Sequence, residues 1–157
     1  MCLLESLLTG YGYMVSWLHG CAKRSLRGRF SLMQSKFRKL SDISAYVISF
    51  HLSNYVSDIV EKWSYFEQRT VGTQFVEAVD SISANVAEGF GRWTKKDRIK
   101  FYRYSSGSLH ESFDWAEKAY RRKFLTKKQY DHIMTELQKL PKELNSLIKY
   151  TNEVLKV

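Results

Sequence analysis

Between Arg92 and Arg103 the chain carries six cationic side chains, Arg92, Lys95, Lys96, Arg98, Lys100 and Arg103, against one acid, Asp97. Cations at that density suit the neutralisation of a row of phosphates. Trp93, Tyr102 and Tyr104 are interleaved with them and offer stacking faces for bases if they stand outside the core. Arg92, Lys95, Lys96 and Arg103 fall toward one side of a helix start, where backbone N–H groups also favour anions. The competing expectation is a solvated charged face whose aromatics turn inward. A second basic run, Lys118, Arg121, Arg122, Lys123, Lys127 and Lys128, lies toward the far end of the same segment. Those cations also suit a simpler role, compensation of a helix C-terminus. A helix of that length holds the two runs about 40 Å apart, so they do not make one small-molecule site.

Other constellations point away from catalysis. His110-Glu111-Ser112-Phe113-Asp114 falls one residue type short of the HExxH zinc motif. His110 and Asp114 lie one turn apart, but no third ligand is evident, and His19, His51 and His132 are scattered. The repeated Glu-x-x-His pairs of a di-iron bundle are missing. Ser105, Ser106 and Ser108 have no partnered His and Asp. Gly89-Phe90-Gly91 follows no strand and precedes no GK[ST], so it is not a phosphate loop. Asn85, Glu88 and Glu111 form a candidate polar cluster where two helices meet, with Glu88 or Glu111 as a partner for Arg92. Such a network fixes helix register more often than it does chemistry. The expectation is a protein that is not an enzyme and needs no metal or cofactor.

Those side chains must be positioned by helices. Apolar residues make up 44% of 157 residues, aromatics 15%, and proline occurs once, which describes one folded, mainly helical domain. Ser41 or Asp42 caps a first helix reaching about Lys62, with Ile43, Val47, Phe50, Leu52, Val56 and Ile59 on its apolar stripe. Trp63 to Gln68 is a connection. Thr70 caps a second helix with Val71, Phe75, Val79, Ile82 and Val86 inward, ended after Glu88 by Gly89 in a left-handed turn. Thr94, with Asp97 three residues on, opens a third helix to about Lys123 through Ile99, Tyr102, Ser106, Leu109, Phe113, Ala116 and Tyr120. Thr126 opens the fourth, with Tyr130, Ile133, Leu137, Leu140, Leu144, Leu147 and Thr151 inward, kinked or split at Pro141. Short connections make the fold all-α, an antiparallel up-down-up-down four-helix bundle over 36–157. The third helix shows a second stripe, Phe101, Ser105, Ser108, Trp115 and Ala119. It therefore lies centrally or meets a second subunit, and self-association is expected.

Net charge is +9, but residues 41–157 hold 18 Lys/Arg and 15 acids, so the bundle itself is only mildly basic. Residues 1–35 read as an N-terminal extension, either a loosely held tail or an over-long gene start with Met33 as initiator. Its basic run follows its apolar part, the reverse of a signal peptide. No run of about 18 apolar residues supports a membrane span. Cys2 and Cys21 give no disulfide framework, so a cytoplasmic setting is expected.

Three blocks carry a resemblance: Ser81-Ile82, Asn85, Ala87-Glu88-Gly89, Gly91-Arg92 and Lys95-Lys96; then Phe101, Gly107-Ser108-Leu109 and Glu111; then Leu140-Pro141-Lys142 through Leu144-Asn145 to Ile148. Over about 120 residues the chain resembles the bacterial four-helix-bundle proteins encoded in intervening sequences of large-ribosomal-RNA genes. That family is similar to the accessory variability determinant of diversity-generating retroelements. The resemblance implies a ring-like homo-oligomer, a pentamer, whose basic surface binds nucleic acid and a reverse transcriptase. The resulting expectation is a non-catalytic accessory factor binding RNA or DNA through Arg92, Lys95, Lys96, Arg98, Lys100, Arg103, Arg121, Arg122 and Lys123. The alternative is a structural protein–protein interaction module.

Overall fold

The computed structural model describes residues 39–155, so the extension expected at 1–35 lies outside the described residues. Four long helices dominate: α1, Ser44–Val60; α2, Thr73–Gly91; α3, Lys95–Arg121; and α4, Lys127–Val154. No described residue is in a strand, as the helical periodicity requires.

The aromatic corner contacts order the bundle. Trp63, in the connection after α1, meets Phe124, in the connection after α3, edge to face at 5.5 Å between ring centres. One end therefore gathers the end of α1, the start of α2, the end of α3 and the start of α4. At the other end Lys95 donates to the Asn152 carbonyl at 3.2 Å, joining the start of α3 to the end of α4. Tyr55 of α1 also meets His132 of α4, with ring centres 4.6 Å apart. Successive helices run in opposite directions, and α3 packs on both α2 and α4.

The core is the set of stripes seen in sequence, with shifts. Val71, Phe75, Val79, Ile82 and Val86 are fully buried, as are Ile133, Leu137, Leu140 and Leu144. In α1 the expected Phe50 is instead 45% exposed, and Ala45, Ser49 and Ser53 take the inner positions. In α3 Ser105, Ser112 and Ala119 are buried, whereas Ser106, Phe113 and Tyr120 are half-buried. Part of the second stripe on α3 is thus interior surface facing a second neighbour. Small residues win those positions because helices approach closely there.

Several boundaries differ from expectation. Ile43, without a capping side chain, precedes α1; Asp42 instead accepts from the Lys39 backbone N–H at 2.9 Å, closing a single 3-10 turn at Leu40–Asp42. The connection after α1 is short, because Ser64 starts a new helical stretch as a capping box with Glu67. Thr70 is no cap: its hydroxyl donates to the Phe66 carbonyl within a π-helical turn, Gln68–Gly72, that feeds directly into α2. Gln68 fixes this corner. Its side-chain amide points two hydrogens at three carbonyls ending α1, those of Val60, Glu61 and Trp63, at 3.2, 3.1 and 3.1 Å. Pro141 neither splits nor ends α4, which runs unbroken for 28 residues. Proline deletes one N–H donor, while the buried Leu137, Leu140 and Leu144 on either side hold the turns in place.

Gly89 is the largest correction. It adopts no left-handed turn; α2 continues through Gly91, and no described glycine has positive φ. A Cβ on Gly89 would stand 2.6 Å from Tyr102 Cε1 and 3.1 Å from the Arg98 carbonyl. Glycine is required here by proximity of α3, since Tyr102 is 1% exposed and cannot swing away. The left-handed residue lies elsewhere, at Lys123, φ 64°. There α3 ends as a Schellman motif, Phe124 N–H bonding to the Ala119 carbonyl and Lys123 N–H to that of Tyr120, both at 2.9 Å.

At that end α3 and α4 are also joined by side chains. Tyr130 stacks on Tyr120 and donates to Glu117 at 2.7 Å; Glu117 also accepts from Arg121 at 2.6 Å. The tyrosine hydrogen bond, reinforced by the guanidinium, holds the Glu117 carboxyl below its ordinary range.

Four outcomes are expected. Gly89→Ala lowers the melting temperature, because overpacking of about 1–3 kcal/mol exceeds the helix-propensity gain of about 1 kcal/mol. Gly107→Ala, with nothing within 4 Å of its Cβ, gains in stability in the same thermal scan. Lys123→Gly stabilises by about 1 kcal/mol in urea unfolding, since glycine adopts positive φ without the Cβ penalty. In Tyr130→Phe the Glu117 carboxyl titrates closer to the ordinary glutamate range by NMR. A depressed carboxyl contributes stability above its unfolded pKa and loses it as pH falls through the folded value. The variant therefore shows less of this acid-side loss.

Candidate nucleic-acid interface

The start of α3 is set by its cap. Thr94 accepts from the Asp97 N–H at 3.1 Å and donates to the Asp97 carboxylate at 2.7 Å. The one acid of the run is thereby occupied with its own helix, and an orphan N–H is satisfied.

Arg92, in the connection between α2 and α3, forms an ion pair with Glu88 and lies over the Phe101 ring at 4.6 Å. The other five cations, Lys95, Lys96, Arg98, Lys100 and Arg103, have no carboxylate partner among the described residues. Lys95 reaches the Asn152 carbonyl, and Arg98 donates to the Arg92 carbonyl at 2.6 Å. Lys100 lies over Tyr104 at 5.7 Å. Lys96, Lys100, Arg103 and Tyr104 fall on one helical face by spacing. With Lys95, Asp97, Ile99 and Asn152 they line a groove of about 780 Å³, in which Asp97 is the one acid.

The aromatics divide. Tyr102 is core, and burial raises its hydroxyl pKa. It is lost as a stacking group because Gly89 draws it under α2. Trp93 is 89% exposed and Tyr104 49% exposed.

The second basic run has a different character. Lys118 pairs with Asp114, Arg121 with Glu117, and Lys127 with Asp131, each one helical turn apart. Lys118 also lies over Trp115 at 4.3 Å. Among the described residues only Arg122, Lys123 and Lys128 of that run lack an ion pair. Along α3 the nearest members of the two runs, Arg103 and Lys118, are about 22 Å apart.

The polar cluster expected from Asn85, Glu88 and Glu111 is not assembled. Asn85 donates to the Ser81 carbonyl at 2.7 Å, Glu88 pairs with Arg92, and Glu111 accepts from Trp115 Nε1 at 3.3 Å. Short side chains satisfied one turn away on their own helix have no need to cross an interface. Between α2 and α3 the polar group that crosses is Ser105, whose hydroxyl donates to the Ile82 carbonyl at 2.8 Å. Its position on the small-residue stripe was the only signal for it. Asp114 pairs with Lys118. No group of three or more potential metal ligands occurs among the described residues. No described helix is long and apolar enough to cross a membrane.

With this geometry in hand, comparison with known proteins assigns the family. Curated proteins give no match to the chain. Among solved structures it is similar to a protein of unknown function from the S23 ribosomal protein family of Bacteroides thetaiotaomicron, with 21% identity and a TM-score of 0.60. That alignment covers 67% of this chain and 98% of the other, a likeness of fold. The family model for 23S rRNA-intervening sequence proteins matches residues 41–146, from the turn before α1 into the second half of α4. This chain belongs to the 23S rRNA-intervening sequence protein family.

Proposed function

We propose that this protein is a non-catalytic accessory factor that binds nucleic acid, RNA or DNA, through the basic face at the start of α3. The reading rests on one observation: five neighbouring cations lack carboxylate partners beside exposed aromatic rings, while the other basic run is half neutralised by its own helices. An ion-paired lysine must break that pair to reach a phosphate; an unpaired one gives up only water and counterions. Arg92, Lys95, Lys96, Arg98, Lys100 and Arg103 form the primary surface, and Arg121, Arg122 and Lys123 a weaker one.

Self-association multiplies such contacts. Exposed Phe50 and Phe66 support it, and the family resemblance implies a pentamer with a reverse transcriptase as one further partner. The scarcity of cysteine supports a cytoplasmic setting. The same exposed rings favour a second reading, a protein–protein interaction module without nucleic acid.

Fluorescence anisotropy with labelled RNA and DNA strands separates the two. Expected is binding at low salt that weakens steeply as salt rises, with a log–log slope of about −3 for four to five phosphates neutralised. Lys95→Glu with Lys96→Glu nearly abolishes it, whereas Arg121→Glu costs little because that side chain is already paired. Absence of binding at low salt favours the interaction module.

A further inference from the structure

We propose that the groove at the start of α3 selects single strands over duplexes. This rests on the nucleic-acid reading above and adds the class of ligand. The exposed rings carry the argument. Trp93 stands before the basic run and is 89% exposed; Tyr104 is about 15 Å further along the axis of α3 and forms part of the groove. That span matches about four stacked nucleotides at 3.4 Å per step, fewer if the strand is stretched. Neither ring is needed by the core, and a tryptophan left almost wholly in water has no internal packing role to explain it. Ring faces gain from nucleic acid only where base faces are open to them, which a duplex hides inside its stack.

The cations are arranged to match. Lys100 lies 5.7 Å over one face of the Tyr104 ring, which also packs at right angles to Phe101, so a positive charge stands beside a half-exposed ring, the pair that a phosphate and its base require. Lys96 and Arg103 flank it on the same face and are unpaired.

Duplex readout is disfavoured by shape. The major groove of B-DNA is about 12 Å wide and takes one protruding helix. Here α3 is flanked by α2 on one side and α4 on another. Helix axes about 8–10 Å apart, each with side chains about 10 Å across, make a surface too broad to enter.

The test compares an unstructured oligothymidine strand with a DNA duplex of equal length, by anisotropy at low salt. The full-length protein should bind the strand about tenfold more tightly. Trp93→Ala with Tyr104→Ala should cost the strand about tenfold while leaving duplex binding and the salt slope unchanged. Both positions are exposed, and circular dichroism checks that the variant is folded. Lys95→Glu with Lys96→Glu should weaken both ligands alike. Equal affinity for strand and duplex, or an alanine pair that leaves strand binding intact, overturns the single-strand assignment while the basic face stands. Binding of neither ligand at low salt overturns the nucleic-acid reading and this inference with it.

Discussion

The close approach of α2 and α3 governs this molecule. At Gly89 the missing side chain admits the Tyr102 ring to a distance no Cβ would tolerate. Three residues further along α3, Ser105 sends its hydroxyl to the Ile82 carbonyl. The other buried hydroxyls, those of Ser49, Ser53, Ser83, Ser112 and Thr151, each bond to a carbonyl of their own helix. Those of the four serines satisfy themselves and set no relation between helices, whereas Thr151 also meets the buried Tyr102 hydroxyl and so ties α4 to α3. Ser105 does set one, because a carbonyl already used inside α2 accepts its second bond from outside. One ring and one hydroxyl thus fix how far α3 slides along α2 and which way it faces.

That facing has electrostatic consequences. With Ile99, Tyr102, Ser105 and Leu109 turned inward, the remaining circumference of the first turns of α3 presents Lys96, Lys100 and Arg103 outward. The acids that might quench them are absent or engaged: Asp97 serves the cap and Glu88 holds Arg92. Further along, acids recur one turn from bases, at Asp114, Glu117 and Asp131, and the field collapses into local pairs. A formal count of charges rates the two runs equal; the arrangement of acids separates them.

The helices and their inward stripes were legible because burial imposes a period on sequence. The stripe Val71–Val86 and the Thr94 and Thr126 caps appear where spacing put them. What failed did so for identifiable reasons. Glycine serves both turns and tight crossings, and one chain does not reveal which; Gly89 serves a crossing. Thr70 offers a capping hydroxyl, yet Ser64 with Glu67 offers a better one earlier. Pro141 breaks an isolated helix but not one pinned by leucines. At the basic face the cations and Trp93 were legible, whereas the loss of Tyr102 to the core and the pairing that weakens the second run depend on neighbours that only the fold supplies.

The Gln68 amide has a consequence for motion. One side chain near the start of the second long rod grips the loose carbonyls at the end of the first. Fraying at either terminus pulls on that grip, so the two ends open together or remain shut. In hydrogen-exchange terms the corner is a single cooperative unit rather than two independently breathing tips.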